Sequence, residues 1–229
     1  MKKEIQYLDN SISDYVVRLK KKYIEKYPSA SIIREFIPVN FSDNIPISSK
    51  NLKKLNQFAK CNPIYFKSYT ISLFNLDCIS YEGDINEYML SGKKYDTNYQ
   101  PFYPTWILSA YVLALGAKML GFKEVLDIGS GDGRIAYCAV LLNLKSIGIE
   151  IDSALGVLQE HIYNSTKVAY QKMNQDAISI DYNSLRLKKP MFFISGLPEM
   201  GEMLAIDTIK KIKENNHIID RAGFNFMGS

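Results

Sequence analysis

The sequence predicts an α/β fold: a doubly wound, Rossmann-like, mostly parallel sheet preceded by a mostly helical N-terminal extension. Three observations predict it. An apolar run, Val125-Leu126-Asp127-Ile128, breaks into Gly129-Ser130-Gly131-Asp132-Gly133 and resumes as a helical stretch from Arg134 to Leu142. This is the strand, glycine turn and helix of a nucleotide-cofactor loop, in which glycines let the backbone turn sharply and approach a ligand. A second run, Ser146-Ile147-Gly148-Ile149, ends in Glu150, 21 residues beyond Gly129, where a carboxylate accepts ribose hydroxyls. A third run, Lys189 to Ile194, reads as another buried strand, with Ser195-Gly196-Leu197-Pro198-Glu199 as the loop at its C-terminal edge. Ligands of parallel sheets sit at that edge.

The remaining elements follow in order. Ile12, Tyr15, Val16, Leu19, Tyr23, Ile24 and Tyr27 recur at helical spacing after the cap candidates Asn10 and Ser11, and the pattern stops near Pro28. A proline-containing connection spans Phe36 to Pro46. Ser48 or Ser49 caps a second helix carrying Leu52, Leu55 and Phe58. Residues 68–81 read as extended, with Gly83-Asp84 as a turn. Two prolines, Pro101 and Pro104, hold an aromatic segment extended before a helix that starts near Thr105 or Trp106 and runs to about Leu120. A helix over Glu202 to Lys213 and a strand over His217 to Phe226 complete the chain. The expected division is an N-terminal lid or substrate platform over 1–96 and a cofactor-binding domain over 97–229. The N-terminal region is a candidate source of edge elements for the sheet.

The chain has 229 residues, enough to bury a full core, and 47% of them are hydrophobic. No stretch is long and apolar enough to cross a bilayer, since Lys118 interrupts Trp106 to Phe122. The N-terminus has no apolar core behind its lysines, and a cytoplasmic protein is expected. Cys61, Cys78 and Cys138 suit neither a disulfide framework nor a thiolate metal site, and His161 and His217 lack the i, i+4 partner of a metal pair. No metal is expected. The net charge of +4 sits in residues 1–100, which hold 15 Lys and Arg against 11 Asp and Glu. The run Arg18-Leu19-Lys20-Lys21-Lys22 and the pair Lys53-Lys54 form either a patch for an acidic partner such as RNA or an ordinary solvated face.

The loop chemistry separates candidate cofactors. A dinucleotide loop aims a helix N-terminus at a pyrophosphate, whereas this loop carries Asp127 ahead of it and Asp132 within it. Carboxylates repel a pyrophosphate and suit a ligand bearing a sulfonium and an ammonium group. The stretch from Val125 to Asp152 thereby resembles the class I, seven-strand S-adenosylmethionine-dependent methyltransferases. The resemblance implies Asp127, Gly129, Ser130, Gly131 and Gly133 under the methionine and ribose of S-adenosyl-L-methionine, Glu150 on the ribose hydroxyls with Ile151 beside it, and Asp176 and Ala177 near the adenine.

The segment Tyr99-Gln100-Pro101-Phe102-Tyr103-Pro104-Thr105, together with the D-x-G-x-G-D-G-R-I loop at Asp127 to Ile135, resembles the archaeal and mitochondrial protein-lysine methyltransferases of the seven-strand type. It implies a lysine acceptor, with Tyr103 and Glu199 as catalytic candidates and Tyr99 and Ser195 against the cofactor. A packed aromatic lid is the other reading of Tyr99, Phe102, Tyr103 and Trp106. Methyltransferases acting on the amino group of adenine carry Asn or Asp, Pro, Pro, aromatic after this strand, and Ser195-Gly196-Leu197-Pro198 departs from that pattern. An RNA or small-molecule acceptor, or a cofactor-binding protein without catalysis, remain the alternatives.

Overall fold

The computed structural model describes residues 2–43, 45, 47–91, 102–195, 201–214 and 216–227. Five parallel strands form the main sheet: β4 (Glu124–Ile128), β5 (Lys145–Glu150), β6 (Gln171–Asn174), β7 (Pro190–Ser195) and β8 (Gly223–Met227), in the order β6-β5-β4-β7-β8. The order reverses at β4. From it the chain passes to β5 on one side and later to β7 on the other, so the crevice at their C-terminal ends is the switch point where α/β sheets hold ligands. Helices α4 (Ile107–Met119), α5 (Arg134–Leu141), α6 (Ser153–Thr166) and α7 (Gly201–Lys213) surround the sheet.

Period-2 alternation along the strands feeds two cores. Val125, Met191 and Phe193 join one, and Leu126, Ile128, Ile147, Ile149, Phe192 and Ile194 join the other. The first core continues into the N-terminal region, through Leu19, Tyr23, Phe36, Leu55 and Phe58. That region therefore packs on one face of the sheet as part of the same core.

The N-terminal region contains α1 (Lys2–Lys26), α2 (Ser49–Cys61) and α3 (Asn86–Ser91), together with the strands β1 (Ile33–Pro38), β2 (Tyr65–Leu73) and β3 (Leu76–Gly83). The strands pair antiparallel in the order β1-β3-β2 as a sheet of their own. They do not extend the five-stranded sheet, so the idea that they supply its edge elements is not met. Four local expectations change. Asn10 and Ser11 lie inside α1 rather than capping it. The run read as one extended segment is a hairpin that turns at Phe74 and Asn75, both with positive φ (46° and 62°), not at Gly83-Asp84; a left-handed pair matches the strand twist. Ile33 to Pro38 is a strand where a connection was expected. His217 lies in a short helix, α8 (Asn216–Ile219), and only Gly223 onward is strand. Ser48 caps α2 as expected, its Oγ accepting the Asn51 N–H at 3.2 Å.

The cationic run on α1 is divided. Lys20 turns inward, its Nζ 4.8 Å from the centre of the Trp106 ring and 3.5 Å from Ser109 Oγ. Lys54 donates to the Thr166 carbonyl at 2.7 Å. Two of the cations assigned to a possible patch thus serve internal packing. No helix among the described residues is long and apolar enough to cross a membrane.

Candidate functional site

The loop between β4 and α5 turns through three left-handed glycines: Gly129, Gly131 and Gly133 have φ of 67°, 57° and 80°. A side chain at any of them would be strained. A β-carbon at Gly131 would also lie 2.6 Å from the Phe102 ring, which is buried over it. The loop starts where the Gly129 and Ser130 N–H groups both donate to the Ile149 carbonyl at 3.0 Å, and closes with Gly133 N–H on the Ser130 carbonyl at 2.7 Å.

Three supports hold it. From β5, Glu150 accepts the Gly131 N–H at 2.8 Å through one oxygen and the Asp152 N–H at 2.9 Å through the other. From α6, Gln159 donates to Ser130 Oγ at 3.0 Å and to the Gly131 carbonyl at 2.7 Å, and is itself held by the Tyr170 hydroxyl at 3.1 Å. From α5 and the N-terminal region, Arg134 binds Asp132 with two parallel bonds of 2.9 and 2.5 Å, and Asn62 donates to Asp132 at 2.9 Å.

The two loop carboxylates therefore differ in kind. Asp132 is ion-paired with Arg134 and accepts a further bond from Asn62, so both of its oxygens are committed within the protein and its share of the electrostatic case for the cofactor is weakened. Asp127 is different. One of its oxygens accepts the Ala136 N–H at 3.3 Å, while Oδ1 is buried with no hydrogen-bond partner among the described residues. Burial pushes its carboxyl up to about 8, with the Ala136 bond opposing and Asp132 and Glu150 adding to the rise. Burial likewise pushes Glu150 up to about 7. A carboxylate offers about four lone-pair positions, and Glu150 uses two, so two remain for a pair of hydroxyls. An orphaned buried acid and a half-used one at a sheet switch point fit a ligand that is cationic at one end and carries a diol.

The other expected site residues fall on the same rim. Asn174 at the end of β6 donates to the Glu150 and Ile151 carbonyls at 2.8 and 3.1 Å, fixing the edge beside Ile151, which is partly exposed. Asp176 caps the turn at Ala177 by accepting the Ile178 N–H at 3.1 Å, and Ala177 is buried. The Ser195 carbonyl faces Gly129, 3.4 Å from where its β-carbon would be. Tyr99 and Glu199 lie outside the described residues, as does the boundary at 96/97.

Tyr103 is 55% exposed and lines a cleft of about 290 Å³ with Ile24, Ile32, Trp106, Glu35 and Arg134, the last of which binds Asp132 of the loop. Its neighbour Phe102, not Tyr103, touches the glycine loop, and Phe102 packs edge-on against Tyr88 at 6.0 Å. Gln159, Asn62 and Glu35 were not picked out from the sequence. Their signal was available: Gln159 stands in the apolar stripe of Leu155, Leu158 and Ile162, and Glu35 stands among Ile33, Phe36 and Ile37, all buried.

No protein-family model matches the chain, and no curated protein matches it. Parts of it overlay on solved structures. One is an S-adenosylmethionine-dependent methyltransferase from Clostridium acetobutylicum, with 14% identity, TM-score 0.39, and 52% of this chain covering 49% of that one. Ribosomal protein L11 methylase from Lactobacillus delbrueckii subsp. bulgaricus gives 15% identity, TM-score 0.38, and 51% of this chain on 57% of that one. Pyrococcus abyssi tRNA (uracil-54, C5)-methyltransferase, in complex with S-adenosyl-L-homocysteine, gives 11% identity, TM-score 0.39, and 80% on 63%. The chain spans about half the length of the first two. At these identities and scores the overlaps assign neither family nor activity.

Proposed function

We propose that the chain is an S-adenosylmethionine-dependent methyltransferase whose acceptor is a protein lysine. One observation carries the first part: a left-handed glycine loop at the sheet switch point, flanked by a buried acid with an orphan oxygen, Asp127, and by a second acid with two unused lone-pair positions, Glu150. A pyrophosphate would set two negative charges beside Asp127. A sulfonium and ammonium would instead supply the charge that keeps it ionised.

When bound, the cofactor supplies an electrophilic methyl group. Asp127 would balance its positive end, Glu150 would hold the ribose hydroxyls, and Asp176 and Ala177 would border the adenine beside Ile151. Gly129 and Ser130 would border the ligand at the loop's entry, while Gly131 and Gly133 shape the turn and make room for the Phe102 and Tyr170 rings packed on it. Phe102 covers the loop and keeps water from Gly131.

The lysine assignment draws on the cleft. Ile24, Ile32 and Tyr103 are large, exposed and apolar, yet converge from α1, the approach to β1 and the segment before α4 on one hollow with Trp106 as its wall. Ser29, Ser31, Arg34, Glu35 and Arg134 complete the lining, so the hollow pairs an apolar wall with polar and charged groups. The apolar wall would take the alkyl stem of a lysine, whose ammonium, with an ordinary pKa of about 10.4, must lose water and a proton before it attacks. Tyr103 is the proposed acceptor-side residue, with Glu199 and Tyr99 as further candidates.

The test is to incubate the protein with labelled S-adenosylmethionine and cell extract. Label in the protein fraction, on lysine, sensitive to protease, is the expected result. Label removed by nuclease instead would assign an RNA acceptor, and no binding of S-adenosylmethionine or its demethylated product by calorimetry would overturn the cofactor reading.

A further inference from the structure

The buried ion cluster beneath the glycine loop does more than satisfy itself. Arg134 has five N–H donors, and each meets an acceptor. Nε and one Nη2 donor go to Asp132, the other Nη2 donor goes to the Tyr65 hydroxyl at 3.3 Å, and Nη1 reaches the Thr105 carbonyl and Glu35 Oε1, the latter at 3.5 Å. The charged groups are almost wholly buried: Glu35 is 1% exposed, Asp132 1% and Arg134 3%. An ion cluster of this kind gains little stability over apolar packing, so its presence points to a demand for one particular geometry.

Glu35 and Tyr65 are the members that come from the N-terminal sheet, and Glu35 carries the charge. Its Oε1 accepts the Tyr65 hydroxyl, and its Oε2 accepts the Ile107 N–H at 2.6 Å. That N–H opens α4, whose N-cap, Trp106, supplies no capping side chain of its own. One carboxylate from β1 thus does two jobs. It caps the helix that follows the Phe102 to Trp106 segment, and through Arg134 it fixes Asp132 inside the glycine turn. Both parts meet at Gly131, where Phe102 lies on the loop.

We propose that Glu35, with Tyr65, is a positioning residue for the cofactor loop: the N-terminal sheet sets the turn at Gly131 to Gly133 and the lid over it, without touching the ligand. The consequence for cofactor affinity rests on the methyltransferase reading; the consequence for the loop does not.

The experiment compares the full chain with Glu35→Gln, Tyr65→Phe and the double variant, by hydrogen exchange of the peptide covering 129–134 and by calorimetric titration with S-adenosylhomocysteine. Glu124→Gln is the control. Glu124 is equally buried, at the other end of β4, and accepts the Lys188 and Lys189 N–H groups at 3.4 and 2.9 Å. Glu35→Gln is expected to raise exchange in the loop peptide about tenfold and to weaken S-adenosylhomocysteine about tenfold, the size of one charge-assisted hydrogen bond. Tyr65→Phe should have a smaller effect, and the double variant less than the product of the two, because they act on one cluster. Glu124→Gln should lower the melting temperature and leave loop exchange unchanged. If Glu35→Gln lowers the melting temperature while loop exchange stays at the wild-type rate, or if Glu124→Gln loosens the loop equally, the proposal is overturned. If the wild-type chain binds no S-adenosylhomocysteine but Glu35→Gln still frees the loop, the positioning role stands and the functional reading alone fails.

Discussion

At the entry of the glycine loop, Asp127 keeps one buried oxygen without a partner among the described residues; at its exit, Asp132 gives both oxygens to Arg134 and one of them also to Asn62. The two acids are five residues apart in the sequence and equally buried. What separates them is which neighbours the fold supplies. At the exit the N-terminal region brings Asn62 to Asp132, and Glu35 and Tyr65 to its partner Arg134. At the entry no described residue fills the remaining position. The exit is held from the N-terminal region and the entry keeps an unmet acceptor, a distinction that the letters D-x-G-x-G-D alone do not make.

Four changes sharpen or break this contrast. The largest effect is expected from Arg134→Met, which strands Asp132 and Glu35 as buried carboxylates without their counter-charge. Urea unfolding should lose about 3–5 kcal/mol, the usual cost of removing one member of a buried pair. An Arg134→Met chain as stable as wild type would mean the exit is not held as described.

Gly131→Val comes next. It forces a β-branched residue into φ of 57° and into the Phe102 ring, so calorimetry should find S-adenosylmethionine binding lost beyond about a hundredfold, from left-handed strain and overpacking together. Retained affinity would show that the loop re-forms without this glycine.

Glu150→Ala should weaken binding by about 1–3 kcal/mol, leaving the ribose hydroxyls and the Gly131 N–H without their acceptor. An unchanged dissociation constant would remove Glu150 from the ribose.

The smallest effect concerns pH. The carboxyls of Glu150 and Asp127 are raised to about 7 and about 8 in the folded chain, so the folded state holds their protons more tightly than the unfolded one. Their contribution to stability is complete at low pH and is lost as pH rises from about 4, the unfolded carboxylate range, through about 7 and 8. S-adenosylmethionine, which calls for the ionised forms, should bind more tightly over the same interval, by several-fold between pH 6 and 8.5. Asp127→Asn should flatten the upper part of both curves, as read by melting temperature and by titration at each pH. A slope identical in Asp127→Asn and wild type would mean that Asp127 does not titrate there.

Truncation tests the same contrast at the level of the chain. A lid or substrate platform over residues 1–96 would leave part of the cofactor binding intact when removed. Because they supply Glu35, Asn62 and Tyr65 to the loop and Leu19, Tyr23, Phe36, Leu55 and Phe58 to the core that runs under the sheet, removing them is now expected to abolish binding along with transfer.

What the sequence by itself determined is local. The strand, the glycine turn and the following helix at Val125 to Leu142 are legible because burial, positive φ and helical spacing each act over a few residues, and the second strand ending in Glu150 is legible because the crossover between parallel strands has a narrow length. What only the tertiary structure decided is which charges meet. Asp132 and Asp127 carry the same carboxyl group, and whether either attracts a ligand depends on residues some 30 to 100 positions away, Glu35, Asn62, Tyr65 and Thr105, that chain folding brings within hydrogen-bond reach of Asp132 or of its partner Arg134. The hairpin at Phe74 and Asn75 and the place of Tyr103 in a cleft with Glu35 and Arg134 were hidden for the same reason. Spacing along the chain reports on secondary structure, while a side chain's partner is set by packing between elements.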